Sequence, residues 1–249
     1  MERIKEPAVA GSFYPEEKDI LLNLIKSFET ENVYNYKTRA VIVPHAGLIY
    51  SGALAYKGIS HLNKNIKTLF IIAPAHRIPF EGIALSSYDE WKTPLGNIRV
   101  NQKINKELEL KYSAKIFDDA HKEEHSIEIQ LPIIQSFFEN IEIVPILVGH
   151  ENPQEIEQII SEYYSDKDIG FIISSDLSHF LTDEKARKVD NETAQMIETG
   201  NIQGFRYEQA CGAIGIYGLT QFANNMGYSL IRINMKNSSA VSADKMRVV

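Results

Sequence analysis

Continuous apolar runs of four to eight residues alternate along this chain with segments that repeat apolar residues every three or four positions. Such runs are typical of strands buried on both faces, because a strand with one wet face alternates apolar and polar residues. The three-to-four spacing is typical of helices that pack one face on a sheet. The alternation therefore predicts a three-layer α/β/α fold with a central, mostly parallel sheet.

The boundaries of these elements follow from where each pattern stops. The predicted strands are 40–43, 68–73, 83–86, 141–148, 171–174 and 229–235, with 245–249 as a candidate seventh. The predicted helices are 16–28, 50–62, 102–110, 124–138, 152–164, 182–198 and 212–226. We expect residues 83–100 to form an antiparallel excursion at one edge of the sheet. No break in composition separates a second domain, so we predict a single domain over residues 1–249.

Charge and composition argue against two classes of partner. The net charge of −7 provides no basic surface for nucleic acid. No stretch approaches the roughly 18 consecutive apolar residues of a membrane span, and the first six residues carry charges where a signal peptide needs an apolar run. The single cysteine excludes an internal disulfide and is typical of a reducing compartment. We therefore predict a cytoplasmic protein that binds neither nucleic acid nor a membrane.

Three predicted strands are each followed within a few residues by a histidine: His45, His76 and His179. In an open α/β sheet, ligands bind in the crevice outside the carboxyl ends of the strands. We therefore expect these imidazoles to lie at one edge and to form a metal site. Each also has a local alternative, because His45 could only cap the helix that follows it and His76 could lie in a surface loop.

The only cysteine, Cys211, precedes Gly212 at the start of a predicted helix and could complete the metal site. A helix N-terminus lowers the pKa of a thiol, and the thiolate is the form that binds metals. A lone cysteine is also often a small apolar residue of the core, and this alternative stays open.

Asp176 and His179 lie three residues apart after the strand at 171–174. A carboxylate beside a histidine can fix the tautomer of the ring and raise its basicity. We therefore predict that these two residues act as acid–base or supporting groups next to the metal. The alternative is that Asp176 caps the helix predicted at 182–198.

His125 lies between Glu124 and Glu128, whose four-residue spacing would place both carboxylates on one face of the predicted helix. We predict that His125 borders the site. His121 and His125 also have the spacing of the zincin motif, but the glutamates stand at its third and fourth positions instead of the second. That departure rules the zincin motif out.

Two further histidines carry weaker signals. His61 ends a predicted helix, so we expect it on the surface near the negative end of the helix dipole. His150 follows a strand, but a solvent-facing helix start comes immediately after it, so we place it outside the site.

Six motifs occur in order along nearly the whole chain, and together they resemble those of the Memo family, also called the AmmeMemoRadiSam system protein B family. They are PAVAGSFYP at 7–15, PHAGLIYSG at 44–52, EHSIEIQLP at 124–132, SSDLSH at 174–179, ACG at 210–212 and NSS at 237–239. The chain departs from the family in two turns. The usual Gly-Pro-Ser-His is Ala-Pro-Ala-His at 73–76, and Ser-Gly-Asp is Ser-Ala-Asp at 242–244. The second departure leaves the role of the tail open.

The resemblance implies a fold similar to that of the class III extradiol dioxygenases, which are non-haem iron enzymes. It places metal ligands at His45, His76 and Cys211. It also places His179 at the acid–base position of those enzymes, with Asp176 beside it. The family name further implies a radical S-adenosylmethionine protein and an AMMECR protein as partners.

Two imidazoles and a thiolate form a borderline-to-soft ligand set, which favours iron or copper, with zinc as a further option. Because a thiolate is oxidisable near activated oxygen, it argues against ordinary dioxygenase turnover. Our leading hypothesis is a metal-binding protein that is open to redox activity. The alternatives are an oxidoreductase acting on a small aromatic substrate and a module that binds a small molecule or a peptide. A cysteine hydrolase using Cys211 and His179 is weakest, because it would not need the other histidines at that edge.

Overall fold

The computed structural model of the protein describes residues 2–29, 36–150 and 152–249. Within these residues nine strands form one sheet. The strands are β1 (Ile4–Lys5), β2 (Ala40–Val43), β3 (Thr68–Pro74), β4 (Ile83–Leu85), β5 (Glu90–Thr93), β6 (Gly96–Val100), β7 (Ala114–Ile116), β8 (Glu142–Val148) and β9 (Ile169–Ser174).

The helices flank this sheet. They are α1 (Lys18–Ser27), α2 (Leu48–Ile59), α3 (Gln102–Lys111), α4 (Asp118–Lys122), α5 (Leu131–Phe137), α6 (Pro153–Tyr163), α7 (Asp183–Thr199) and α8 (Ala213–Met226). Across the described ranges, no helix combines the length and the apolar character needed to cross a membrane.

The sheet runs in the order β1-β5-β6-β8-β3-β9-β2, with β4 and β7 off this path. The central strands β8, β3, β9 and β2 pair in parallel. The antiparallel pairs are β5 with β6 and β4 with β8, and both involve the excursion expected at 83–100. The mostly parallel sheet between helices confirms the predicted three-layer α/β/α fold.

The core lies on both faces of β3 because successive side chains of a strand point to opposite sides. Leu69 and Ile71 join the cluster that contains residues of α1, α2 and α5. Phe70 and Ile72 join the cluster that contains residues of α6 and α8. Each of these four side chains is buried, and burying one such side chain stabilises the fold by about 1.5–3 kcal/mol. This two-sided burial explains why the strands have continuous apolar sequences.

Two predicted strands are wrong. Residues 229–235 form no regular secondary structure and pair with no strand, and Ile231 in that segment is 58% exposed. Residues 245–249 contribute only the isolated bridge between Leu181 and Val248. Strand propensity describes a side chain that suits a pleated surface, but a strand also needs a neighbouring backbone to pair with.

The helix predicted at 124–138 is also different. Helix α5 begins only at Leu131, after a single turn of 3-10 helix at Glu128–Gln130. The two glutamates therefore do not share a helix face, because Glu124 contacts His76 whereas Glu128 contacts the N-terminal segment. Buried donors far away in the sequence bind each carboxylate and override the local spacing.

His61 is buried rather than on the surface, with 2% of its area exposed. The residues around it pair with the chain before β2, since Thr38 donates its N–H to the carbonyl of His61. His61 Nδ1 also lies 3.2 Å from the carbonyl oxygen of Tyr36. The prediction failed because the chain that covers this helix end comes from more than twenty residues earlier.

His121 is a structural residue of the core. It is fully buried, its Nε2 lies 3.1 Å from the carbonyl oxygen of Ala84, and its ring meets Trp91 edge-on. Burial lowers its pKa to about 4, with a smaller contribution from Lys5. This environment agrees with the rejection of the zincin motif.

Glu128 anchors the N-terminal segment, residues 4–14. Its carboxylate lies 2.9 Å from Lys5 Nζ and accepts the hydroxyl proton of Tyr14 at 2.8 Å. It also accepts the backbone N–H groups of Ala8 and Val9. Glu128 is 1% exposed and Lys5 is 3% exposed, so the pair is shielded from water.

Candidate metal centre

Three histidines converge at the carboxyl edge of the sheet. His45 follows β2, His76 follows β3, and His125 lies in the loop before the 3-10 turn. Their ligand atoms lie within 4.8 Å of one another. Ligands that share one first-row metal ion at about 2.0–2.3 Å lie within about 4.6 Å of each other. The three imidazoles therefore need only a slight contraction to bind one ion.

The outer nitrogens of two of the three rings are held by hydrogen-bond partners. His45 Nδ1 lies 3.0 Å from Ser174 Oγ, and His76 Nδ1 lies 3.1 Å from Glu124 Oε1. Ser174 donates its own proton to the carbonyl of Ser126, so it accepts a proton from His45 Nδ1. His45 Nε2 is thereby the nitrogen that faces the other candidate ligands. Metal-binding histidines are typically oriented by such contacts.

Cys211 lies against two of these histidines. Its sulfur is 3.3 Å from His45 Nε2 and accepts the backbone N–H of Asp176 at 3.3 Å. Burial alone would raise the pKa of the Cys211 thiol, but His45 and His76 lower it to about 6. Burial alone would lower the pKa of His76, but Cys211 and Glu124 raise it to about 9. The two imidazoles thus favour the thiolate form of Cys211, which is the form that binds metals.

Glu124 is the residue that the sequence did not place in the site. Its carboxylate accepts the backbone N–H of His76 at 2.5 Å and of His125 at 2.9 Å. His125 Nδ1 lies 3.0 Å from the same carboxylate. Burial alone would raise the pKa of Glu124, but its contacts with His125 and His76 hold it well below the usual range. Its position directly before His125 was the available signal.

Asp176 lies next to the histidines, whereas His179 does not belong to their cluster. Asp176 Oδ1 accepts the backbone N–H of His45 at 2.9 Å, and its Oδ2 is 3.9 Å from His45 Nε2. His179 is half-buried, and its ring centre is 5.7 Å from that of Phe180. Among the described side chains, the cluster of ligand atoms within 4.8 Å contains only His45, His76 and His125.

A Glu124→Gln variant is expected to bind a transition-metal ion about 10–100-fold more weakly than the wild type, the usual effect of losing a group that orients a metal ligand. The amide keeps the shape of the side chain but not the negative charge that holds His76 and His125. Competition with a coloured chelator under anaerobic conditions measures the affinity. Glu123→Gln is the matched control, because Glu123 is the exposed neighbour. Equal affinities in the two variants would contradict the orienting role.

Known proteins match this chain over nearly its whole length. The family model described as Memo-like protein matches residues 5–249. The MEMO1 family protein TV1383 of Thermoplasma volcanium is 35% identical over 261 residues, covering 99% of this chain and 96% of that protein. A MEMO1 family protein of Aquifex aeolicus is 32% identical over 265 residues, covering 99% and 97%. The six motifs, the fold and these matches agree, and the chain belongs to the Memo family.

Proposed function

We propose that this protein binds iron or copper through His45, His76 and Cys211, at a site like that of the class III extradiol dioxygenases. The observation that carries the proposal is the position of the Cys211 sulfur, 3.3 Å from His45 Nε2. Both imidazoles are oriented by contacts with their outer nitrogens, to Ser174 and Glu124. The donors therefore come from three separate parts of the chain and need little rearrangement to share an ion.

The third ligand could be Cys211 or His125, because His125 also lies within reach of His45 and His76. Cys211 is favoured by its charge, since its lowered pKa makes it a thiolate at neutral pH. The backbone N–H of Asp176 points at the sulfur and stabilises that charge. His125 instead packs its ring on Phe13, with 4.7 Å between the ring centres. We therefore assign Cys211 as the ligand and His125 as a neighbour of the metal.

Two imidazoles and a thiolate favour iron or copper over magnesium or calcium, which prefer oxygen ligands. When bound, iron or copper would supply redox or Lewis-acid chemistry. Around it, Glu124 fixes the ring of His76, and the loop of Asp176 fixes both His45 and Cys211. His125 and Asp176 are the groups placed to hold or move a proton. A corresponding role for His179 rests on its position after β9 and on the resemblance.

A second candidate is an oxidoreductase that acts on a small aromatic substrate. The half-buried ring of His125 favours it, because this imidazole lies among the other donors and would be free to accept a proton if Cys211 is the third ligand. Ring opening of a catechol after anaerobic loading with Fe(II) and addition of O₂ would give a yellow product. Stoichiometric metal binding without such a product would favour the metal-binding function.

The ligand assignment can be tested with Co(II), which reports a thiolate ligand through a charge-transfer band in the near ultraviolet. The wild type and His125→Gln are expected to bind one Co(II) with this band. Cys211→Ser is expected to lose the band and to bind at least about tenfold more weakly. A wild-type complex that lacks the band would contradict ligation by Cys211. So would loss of binding in His125→Gln but not in Cys211→Ser.

A further inference from the structure

Cys211 also lines a cavity of about 660 Å³. The cavity lies at the carboxyl ends of β3 and β8, against the start of α8. We call it the β3–β8 cavity. Its lining includes Ile72, Val148, Phe80, Tyr207, Cys211 and Ile214. His45, His76 and His125 are not among the described residues that line it.

The inner part of the β3–β8 cavity is apolar. Ile72 and Val148 form its buried floor, and Phe80 adds an aromatic side chain. The polar groups Glu81 and His150 are exposed side chains, so they lie towards the solvent end. Volumes of about 300–1,000 Å³ with mostly apolar linings are typical of sites that bind small molecules. A charged group would be poorly solvated at such a floor.

Backbone hydrogen bonds hold the part of the cavity wall that contains Phe80 and His150. The backbone N–H of His150 donates to the carbonyl of Phe80 at 2.9 Å, and Gly82 donates to the carbonyl of His150 at 3.0 Å. Gly149 allows this close approach, because a Cβ there would lie 2.1 Å from the carbonyl oxygen of Phe80. Backbone pairing therefore holds this part of the cavity wall in place.

We propose that the β3–β8 cavity binds a small, uncharged, mainly apolar molecule that packs on Ile72, Val148 and the Cys211 sulfur. Its polar end faces Glu81 and His150. The cavity size and the apolar floor set the chemical class, and the crevice beyond parallel strands is a usual place for such ligands. We expect binding without a metal, since Cys211 is the one proposed metal ligand among the described residues that line the cavity. Cys211 would thus be common to this ligand site and the proposed metal site.

The single cysteine provides the test, because any thiol reagent reports on Cys211 alone. N-phenylmaleimide is the apolar probe: the thiolate adds to its carbon–carbon double bond, and the resulting enolate takes a proton from water. With metal-free protein in chelator, the labelling rate is expected to saturate as the probe concentration rises. N-phenylsuccinimide has the same shape without the double bond. At ten times its dissociation constant it should slow labelling about tenfold, because only about one site in ten stays free.

Variants of the lining test whether this binding occurs in the cavity. Ile214→Phe fills part of the space and is expected to abolish saturation and protection, while the rate with small, polar iodoacetamide stays within about twofold of the wild type. Ile231→Phe is the matched control, because Ile231 is exposed outside the cavity, and it should behave as the wild type. If Ile214→Phe does not fold, Phe80→Ala removes one wall instead. This variant should weaken the binding of N-phenylsuccinimide about tenfold.

A wild-type rate that rises linearly with N-phenylmaleimide, without protection by N-phenylsuccinimide, would overturn the proposal. Saturation that persists unchanged in Ile214→Phe or in Phe80→Ala would also overturn it, because binding would then lie elsewhere. Since these measurements use metal-free protein, they are independent of the Co(II) result. Failure of the metal site would therefore not be mistaken for failure of the cavity.

Discussion

A His45→Ala variant is expected to bind Fe(II) at least about a hundredfold more weakly than the wild type. Structural zinc sites release about 10–16 kcal/mol through four ligands, so one ligand contributes about 3 kcal/mol, or about a hundredfold in affinity. His45 is 1% exposed and its Nδ1 is held by Ser174.

The measurement is anaerobic competition between the protein and a chelator of known affinity. His150→Ala is the matched control, because His150 also follows a strand but is exposed and outside the histidine cluster. The control should retain the wild-type affinity within about twofold, as expected of a surface change that touches no ligand. If His45→Ala bound Fe(II) as tightly as this control, the cluster would not be the metal site.

Replacing Glu128 by glutamine is expected to lower the free energy of unfolding by about 3–5 kcal/mol, the usual cost of breaking a buried ion pair from one side. The change leaves the ammonium group of Lys5 buried without its counter-charge, 2.9 Å from a neutral side chain. It also weakens the acceptor for Tyr14 and for the backbone N–H groups of Ala8 and Val9. Four contacts thus depend on one carboxylate.

Urea unfolding of the metal-free protein measures this loss. Glu6→Gln is the matched control, because Glu6 pairs with Lys92 at 2.9 Å on the surface, where an ion pair contributes only about 0–1 kcal/mol. Lys5→Met should fall between the two variants, since Glu128 then keeps its three other donors. If Glu128→Gln were no less stable than Glu6→Gln, the buried pair would not be what holds the N-terminal segment.

The sheet could be predicted from sequence because its central strands are buried on both faces. Strands that are buried on both faces have continuous apolar sequences, as β3 and β9 do. The positions of His45 and His76 followed from the same pattern, since each comes directly after a strand whose end could be located. Local periodicity was sufficient wherever the local environment decided the structure.

The errors arose where contacts with residues distant in the sequence determined the structure. The spacing of Glu124 and Glu128 predicts a shared helix face, but His76 binds the first carboxylate and the N-terminal segment binds the second. His61 is covered by the chain before β2, and residues 229–235 have strand-like side chains without a strand to pair with. A pattern within a few residues contains no information about a contact with a residue twenty-five or more positions away.

Glu124 and Glu128 are only four residues apart, and each binds a different part of the molecule. The histidine cluster and the N-terminal segment are therefore coupled energetically. Glu124 holds the rings of His76 and His125, while Glu128 holds the segment whose Phe13 packs on His125. Any ligand that binds only when His125 and His76 are in place therefore also favours the docked form of residues 4–14. Amide hydrogen exchange in that N-terminal segment should therefore slow when a metal is bound.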